Sequence, residues 1–370
     1  MPGTATIQYP SGYHKEGVCM NMLELLQEAA GEQVSDVYVI AGLPVSYRKN
    51  QRIQERDPRK MQPADTDKLL GELYELAGNR SMEALRNTGD DDFSFSIQEL
   101  SRFRVSAFKQ RGSLSAVIRI IAFNLPDYRN LHIPDAVMEL ANSRQGMVLV
   151  TGAAGSGKST TLSCIIDRIN KTRQAHVITL EDPIEYLHKH DKSIVTQREI
   201  GSDTDSYVKA LRASLRQSPD IILLGEMRDY ETMDVAMTAA ETGHLLLSTL
   251  HTMGAANTIE RIIDVFPANQ QRQIAVQLSM VLSAVVSQQL VPTVDGGVIP
   301  AFEIMTVTPA IRAMIRDNKV HQIDGLVSAS NREDMHSMDT SLAELYHNHQ
   351  ITRETALAFS SNSVILAKKI

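Results

Sequence analysis

A chain segment able to hold a polyphosphate stands near the middle of these 370 residues: Gly152-Ala153-Ala154-Gly155-Ser156-Gly157-Lys158-Ser159. It follows the apolar run Met147-Val148-Leu149-Val150 and precedes a helical pattern that opens at Thr160. Small residues let backbone N–H groups close around phosphate oxygens, and a helix N-terminus favours anions. In that spacing Lys158 reaches the β and γ phosphates of a nucleotide, and Ser159 holds Mg²⁺.

Three polar clusters follow the apolar runs that come next. After 176–180 stands Glu181-Asp182-Pro183-Ile184-Glu185, whose carboxylates can polarise an attacking water beside a nucleotide. N-capping of a following helix is the competing role, and it suits Asp182 better than Glu185. After 221–224 stands Gly225-Glu226-Met227-Arg228-Asp229, a Walker B pattern in which Glu226 replaces the usual Asp and holds Mg²⁺ through water. After 245–250 stands His251, placed to sense or contact the γ-phosphate, with His244 at the start of the same run. His244 fits a direct ligand role or a hydrogen bond in the core or at an interface.

These clusters need a scaffold that brings strand ends together. From 147 onward, apolar runs alternate with helical patterns: strands at 147–151, 176–180, 221–225 and 245–250, helices at 160–168, 206–216 and 231–242. The pattern predicts a parallel α/β sheet covered on both faces, with ligands at the carboxyl ends of its strands. Past 255 the expectation is mainly helical, over 255–265, 269–288, 309–316 and 341–347.

The first third reads differently. Residues 1–18 lack periodicity and are expected to form a flexible leader. Residues 19–121 predict a small α+β domain: a helix carrying Met22, Leu25, Leu26 and Ala29, strands near 37–41, 45–48 and 93–97, and helices around 69–76 and 81–86. A hairpin of 103–110 and 114–121 turning at Arg111-Gly112 sets Arg104 opposite Arg119 on one face. Like charges there repel, so either an anion sits between them or both are solvated. Residues 122–134, rich in Asn, Asp and Pro, read as a linker to the domain at 135–370.

With 37 Lys and Arg against 44 Asp and Glu, the net charge of −7 disfavours a dedicated nucleic-acid binder. Cys19 and Cys164 stand far apart, outside any metal or disulfide spacing, which points to a reducing compartment. No apolar run approaches the eighteen or so residues of a membrane span, and a cytosolic location is expected.

The Walker A segment, Thr179 to Glu185, Leu224 to Asp229 and Glu241 to Thr252 resemble the Walker A, Asp, Walker B and His boxes of secretion ATPases. More narrowly, Ser35-Asp36-Val37 with Ala41-Gly42, Arg102-Phe103-Arg104-Val105, Val195 to Glu199 and Ala310 to Asp317 resemble the PilT family of type IV pilus retraction ATPases. That resemblance implies a homohexameric ring with a PAS-like N-terminal domain, a RecA-like ATPase domain, and ATP lying between the two. It implies Glu185 as the catalytic carboxylate with Glu181 close behind, Glu226 as the Walker B acid, and Arg104 and Arg119 as arginines that reach the phosphates. Its cofactors are ATP and Mg²⁺, and its partner is the platform protein of the inner membrane, at whose cytoplasmic face the ring works. A paralogous pilus ATPase is a further partner the family admits. Extension or secretion motors typically carry a cysteine-rich zinc insertion, for which this chain has no cysteines. A nucleotide-regulated subunit with little turnover and a RecA-like DNA motor are the other readings.

Overall fold

Helix α1 (Met22–Gly31) starts at Asn21, whose side chain accepts from the Glu24 N–H while Glu24 reaches back to the Asn21 N–H. That capping box fixes its register and turns Met22, Leu25, Leu26 and Ala29 inward, all buried as the periodicity predicts. The computed structural model describes residues 21–32, 34–49, 52–98, 100–121, 125–330 and 332–370. The leader expected at 1–18 lies outside them. The chain divides into two compact units, Met1–Ile121 and Ala122–Ile370.

In the first unit α1 is followed by β1 (Asp36–Val39), β2 (Pro44–Lys49), β3 (Arg52–Lys60), α2 (Pro63–Leu76), α3 (Glu83–Thr88), β4 (Asp90–Ile97), β5 (Ser101–Gln110) and β6 (Ser113–Ile121). The strands pair antiparallel in the order β3-β2-β1-β6-β5-β4. Strand β3 has no counterpart in the sequence reading. It is an edge strand with no buried residue, so no apolar alternation marks it. The β5–β6 hairpin has the expected register: Arg104 faces Arg119, and Arg111 and Gly112 both have positive φ at the turn.

The second unit begins with Leu125, Tyr128 and Leu131 packed on its core, then α4 (Asp135–Met138). It continues with β7 (Gly146–Thr151), α5 (Lys158–Thr172), β8 (His176–Glu181), β9 (Ile194–Glu199), α6 (Tyr207–Ser214), β10 (Ile221–Leu224), α7 (Tyr230–Glu241), β11 (Leu245–Leu250), α8 (Ala255–Asp264), α9 (Gln271–Val281), β12 (Leu282–Pro292), β13 (Val298–Thr306), α10 (Pro309–Arg316), α11 (Ile323–Ser328), β14 (Met335–His336), α12 (Met338–His347), α13 (Arg353–Phe359) and α14 (Ser363–Leu366). The sheet order is β14-β13-β12-β7-β11-β10-β8-β9, parallel from β12 to β9. Val148 and Val150 of β7 face α5, whereas Met147 and Leu149 face the side covered by α6 to α9. Burial on both faces explains why the strands are apolar without alternation.

The helix expected over 269–288 is a correction. It ends at Val281, and Leu282–Pro292 form β12 beside β7. An apolar run buried on both sides carries no period to separate strand from helix, and the β-branched Val285 and Val286 tip it to strand.

Candidate active site

The phosphate loop runs from the end of β7 at Thr151 to the start of α5 at Lys158. Glycine is required at Gly152 by space as well as by φ, and at Gly157 by φ. A Cβ on Gly152 (φ 140°) would stand 2.2 Å from the Gln288 carbonyl oxygen, and one on Gly157 (φ 89°) would stand 2.9 Å from Gln288 Nε2. Gln288 also accepts a 2.7 Å hydrogen bond at Oε1 from the buried Thr161 hydroxyl of α5. One residue of β12 thus braces both ends of the loop. The sequence reading missed it because it placed 288 at the end of a helix.

Lys158 is buried, and its Nζ donates to the carbonyl oxygens of Gly152 and Ala153, both at 2.8 Å. Burial holds its pKa below the ordinary lysine value, against the pull of Glu226 and Glu185. The Ser156 hydroxyl is buried and without a hydrogen-bond partner among the described residues. A buried cation hydrogen-bonded to loop carbonyls, next to an unsatisfied hydroxyl, suits an incoming polyphosphate.

Because β8, β10 and β11 run parallel to β7, their carboxyl ends lie at the same edge as the loop. Lys158, Ser159, Glu181, Glu185, Glu226 and His251 all line one cavity of about 250 Å³ there, with Ala154 and Gly155. Burial pushes the Glu181 carboxyl up to about 7, although the Thr179 hydroxyl (2.5 Å) and Gln197 Nε2 (3.3 Å) both donate to its Oε1. Glu185 stands exposed at the cavity. Glu226 Oε2 takes both Arg228 Nε at 2.6 Å and His251 Nε2 at 3.3 Å. Thr160 meets the Tyr186 hydroxyl at 3.2 Å, which ties α5 to the segment after Glu185.

No helix follows Asp182, so N-capping does not account for that cluster; Asp229 is the residue that caps, accepting from the Thr232 N–H at the start of α7. The loop after β11 is fixed beyond His251. The Gly254 N–H donates to Ser287 at 3.0 Å and the Ala255 N–H to the buried Glu303 at 2.7 Å. Arg228 and Tyr207 also line the cavity. Arg228 was visible only as part of the Walker B pattern, and nothing in the sequence singled out Tyr207.

His244 does not line this cavity. It precedes the first residue of β11, so six strand residues, roughly 20 Å, separate it from His251 at the cavity. Its Nδ1 lies 2.9 Å from the Ala239 carbonyl at the end of α7, a contact of the hydrogen-bonding kind that the sequence allowed beside a ligand role. Arg104 and Arg119 lie in the first unit. There Arg119 Nε donates to Asp36 Oδ1 at 2.9 Å, a carboxylate of the same sheet.

Among the described residues no helix is long and apolar enough to cross a membrane. The type II/IV secretion system protein family matches residues 14–354. The chain is 41% identical to the type IV pilus ATPase PilU of Pseudomonas aeruginosa over 92% of this chain and 88% of that protein. It is 40% identical to the type IV pilus retraction ATPase PilT of the same organism over 91% and 97%. A crystal structure of the pilus retraction motor PilT with bound ADP superposes with a TM-score of 0.86 at 43% identity, covering 94% of this chain and 99% of that one. The mixed α/β architecture expected from the residue pattern, an α+β domain followed by a parallel α/β domain, matches these relatives and is consistent with the RecA-like domain that the resemblance implied. The chain belongs to the type II/IV secretion system protein family and is an ATPase of the PilT type.

Proposed function

We propose that this ATPase drives type IV pilus retraction as a ring of six copies, acting from the cytoplasmic face on the platform protein of the inner membrane. The observation that carries the reading is the convergence of Lys158, Ser159, Glu181, Glu185, Glu226 and His251 on one cavity, in a chain 40% identical to PilT over nearly the full length of both. Lys158 exchanges its loop carbonyls for the β and γ phosphates of ATP. Glu185 or Glu181 takes a proton from water as the water oxygen bonds to the terminal phosphorus and the bond to the bridging oxygen of ADP breaks. Ser159 and Glu226 offer the hard oxygen donors that suit Mg²⁺, which when bound spreads the developing charge on the phosphates. Arg104 and Arg119 are proposed to add positive charge at the γ-phosphate. Arginine delivered in that way is worth about 10³ to 10⁵ in rate in P-loop systems, enough to tie turnover to assembly.

The 41% identity to PilU over most of both chains favours a second reading, a pilus ATPase acting beside a principal motor, with a paralogous ATPase as partner. Deleting the gene tests the first. Lost retraction leaves surface pili to accumulate; unchanged pili together with slow turnover of the purified protein would favour the second reading, and lost pili would contradict both.

A further inference from the structure

Tyr207 is the first residue of α6, directly after the N-cap Ser206, and its ring packs against the core between α6, α7 and the sheet. Its hydroxyl comes within 2.8 Å of where a Cβ on Gly225 would stand, so it reaches across the end of β10 one residue before Glu226. The same side chain lines the cavity that holds Lys158 and Glu185. The charges it faces are those of Glu226, Asp182 and Glu181, with Arg228 beyond them. No described residue forms a hydrogen bond with this hydroxyl, and it is not among the side-chain atoms sealed from solvent without a partner. It is an open, unused hydroxyl inside the reaction cavity.

Its neighbours there are carboxylates, which when ionised only accept hydrogen bonds, whereas a phenol both donates and accepts. A water beside a carboxylate base has one hydrogen fixed and one free. The free hydrogen needs an acceptor if the water's lone pair is to face phosphorus. We propose that Tyr207 is a further residue of the hydrolytic site, its hydroxyl donating to a neighbouring carboxylate and accepting the second hydrogen of the attacking water. The ring's packing in the core holds the hydroxyl in place, so the orientation costs little entropy at the moment of reaction. This assignment rests on the reading of the cavity as the place of hydrolysis.

Tyr207→Phe removes one oxygen and keeps the packed ring. Single-turnover and steady-state ATP hydrolysis by the assembled protein should fall about tenfold in kcat, the worth of one hydrogen bond to a charged neighbourhood. KM for ATP, affinity for ADP and the melting temperature should stay at wild-type values, which a merely structural role would not predict. A wild-type kcat overturns the proposal, and so does a raised KM with kcat unchanged. Lys158→Ala, measured in parallel, separates the two failures. If it still turns over, the reading of the cavity is wrong; if it is inactive while Tyr207→Phe is unimpaired, only the role of Tyr207 is lost.

Discussion

Arg119 and Asp36 are direct partners across the β1–β6 pair, and Arg119 Nε donates to Asp36 Oδ1 at 2.9 Å. Asp36 also lies 3.5 Å from Arg48 and accepts from the Ser35 hydroxyl, with its side chain only 6% exposed. Arg104, which faces Arg119 on β5, has no ion-pair partner among the described residues. The two arginines should therefore separate in their cost to folding. Arg119→Ala leaves a buried carboxylate short of a donor and should lower stability by about 1–2 kcal/mol; Arg104→Ala should stay within about 0.5 kcal/mol of wild type. Both should lower ATP turnover by about 10² or more. Urea denaturation beside an ATPase assay checks both, and equal stability losses would contradict the assignment of Asp36.

If Arg104 acts on the nucleotide of a neighbouring copy, mixing two inactive proteins restores a complete site. Glu185→Gln and Arg104→Ala subunits combined in varying ratio should recover a fraction of wild-type turnover. No recovery at any ratio would contradict delivery between copies.

Glu181 sets a pH dependence whose sign follows from its raised pKa. Burial lifts the carboxyl from 4.5 in the unfolded chain to about 7 in the fold. Its protonated form therefore stabilises the fold fully below pH 4.5, and that contribution is lost as pH rises through 7. Glu181→Gln removes the ionisation and keeps an acceptor for Thr179 and Gln197. The variant should gain stability over wild type as pH rises from 4.5 to about 7 and hold the difference above that. A difference that does not change with pH would contradict the burial of this carboxyl.

Gln288 carries a prediction for the phosphate loop. Gln288→Leu leaves the fully buried Thr161 hydroxyl without its partner and removes the amide beneath Gly157. Stability should fall by about 1–3 kcal/mol, and affinity for a fluorescent ATP analogue should fall with it. Unchanged affinity would show that the loop keeps its shape without this brace.

The sequence made the site's main chain of logic legible because parallel strands leave a simple trace: apolar run, polar cluster, helix. Lys158, Glu181, Glu226 and His251 could be placed at one sheet edge on that basis, and the hairpin geometry fixed Arg104 against Arg119. What stayed hidden had no local signal. Strand β3 buries nothing, so its residues alternate in nothing that hydropathy detects. Residues 282–288 are buried on both faces and show no apolar alternation, which conceals β12 and with it Gln288. Asp36 is 83 residues from Arg119, and Tyr207 reaches Gly225 across a turn of helix and a strand end. Such contacts depend on tertiary packing, and His244 shows the converse, a residue near a motif in sequence that the direction of β11 carries away from the cavity.

ATP turnover by Lys158→Ala tests the central claim most directly. Lys158 is the buried cation held by loop carbonyls that we propose binds the polyphosphate, so the folded, assembled variant should hydrolyse no ATP above background. Turnover at the wild-type rate would contradict the account.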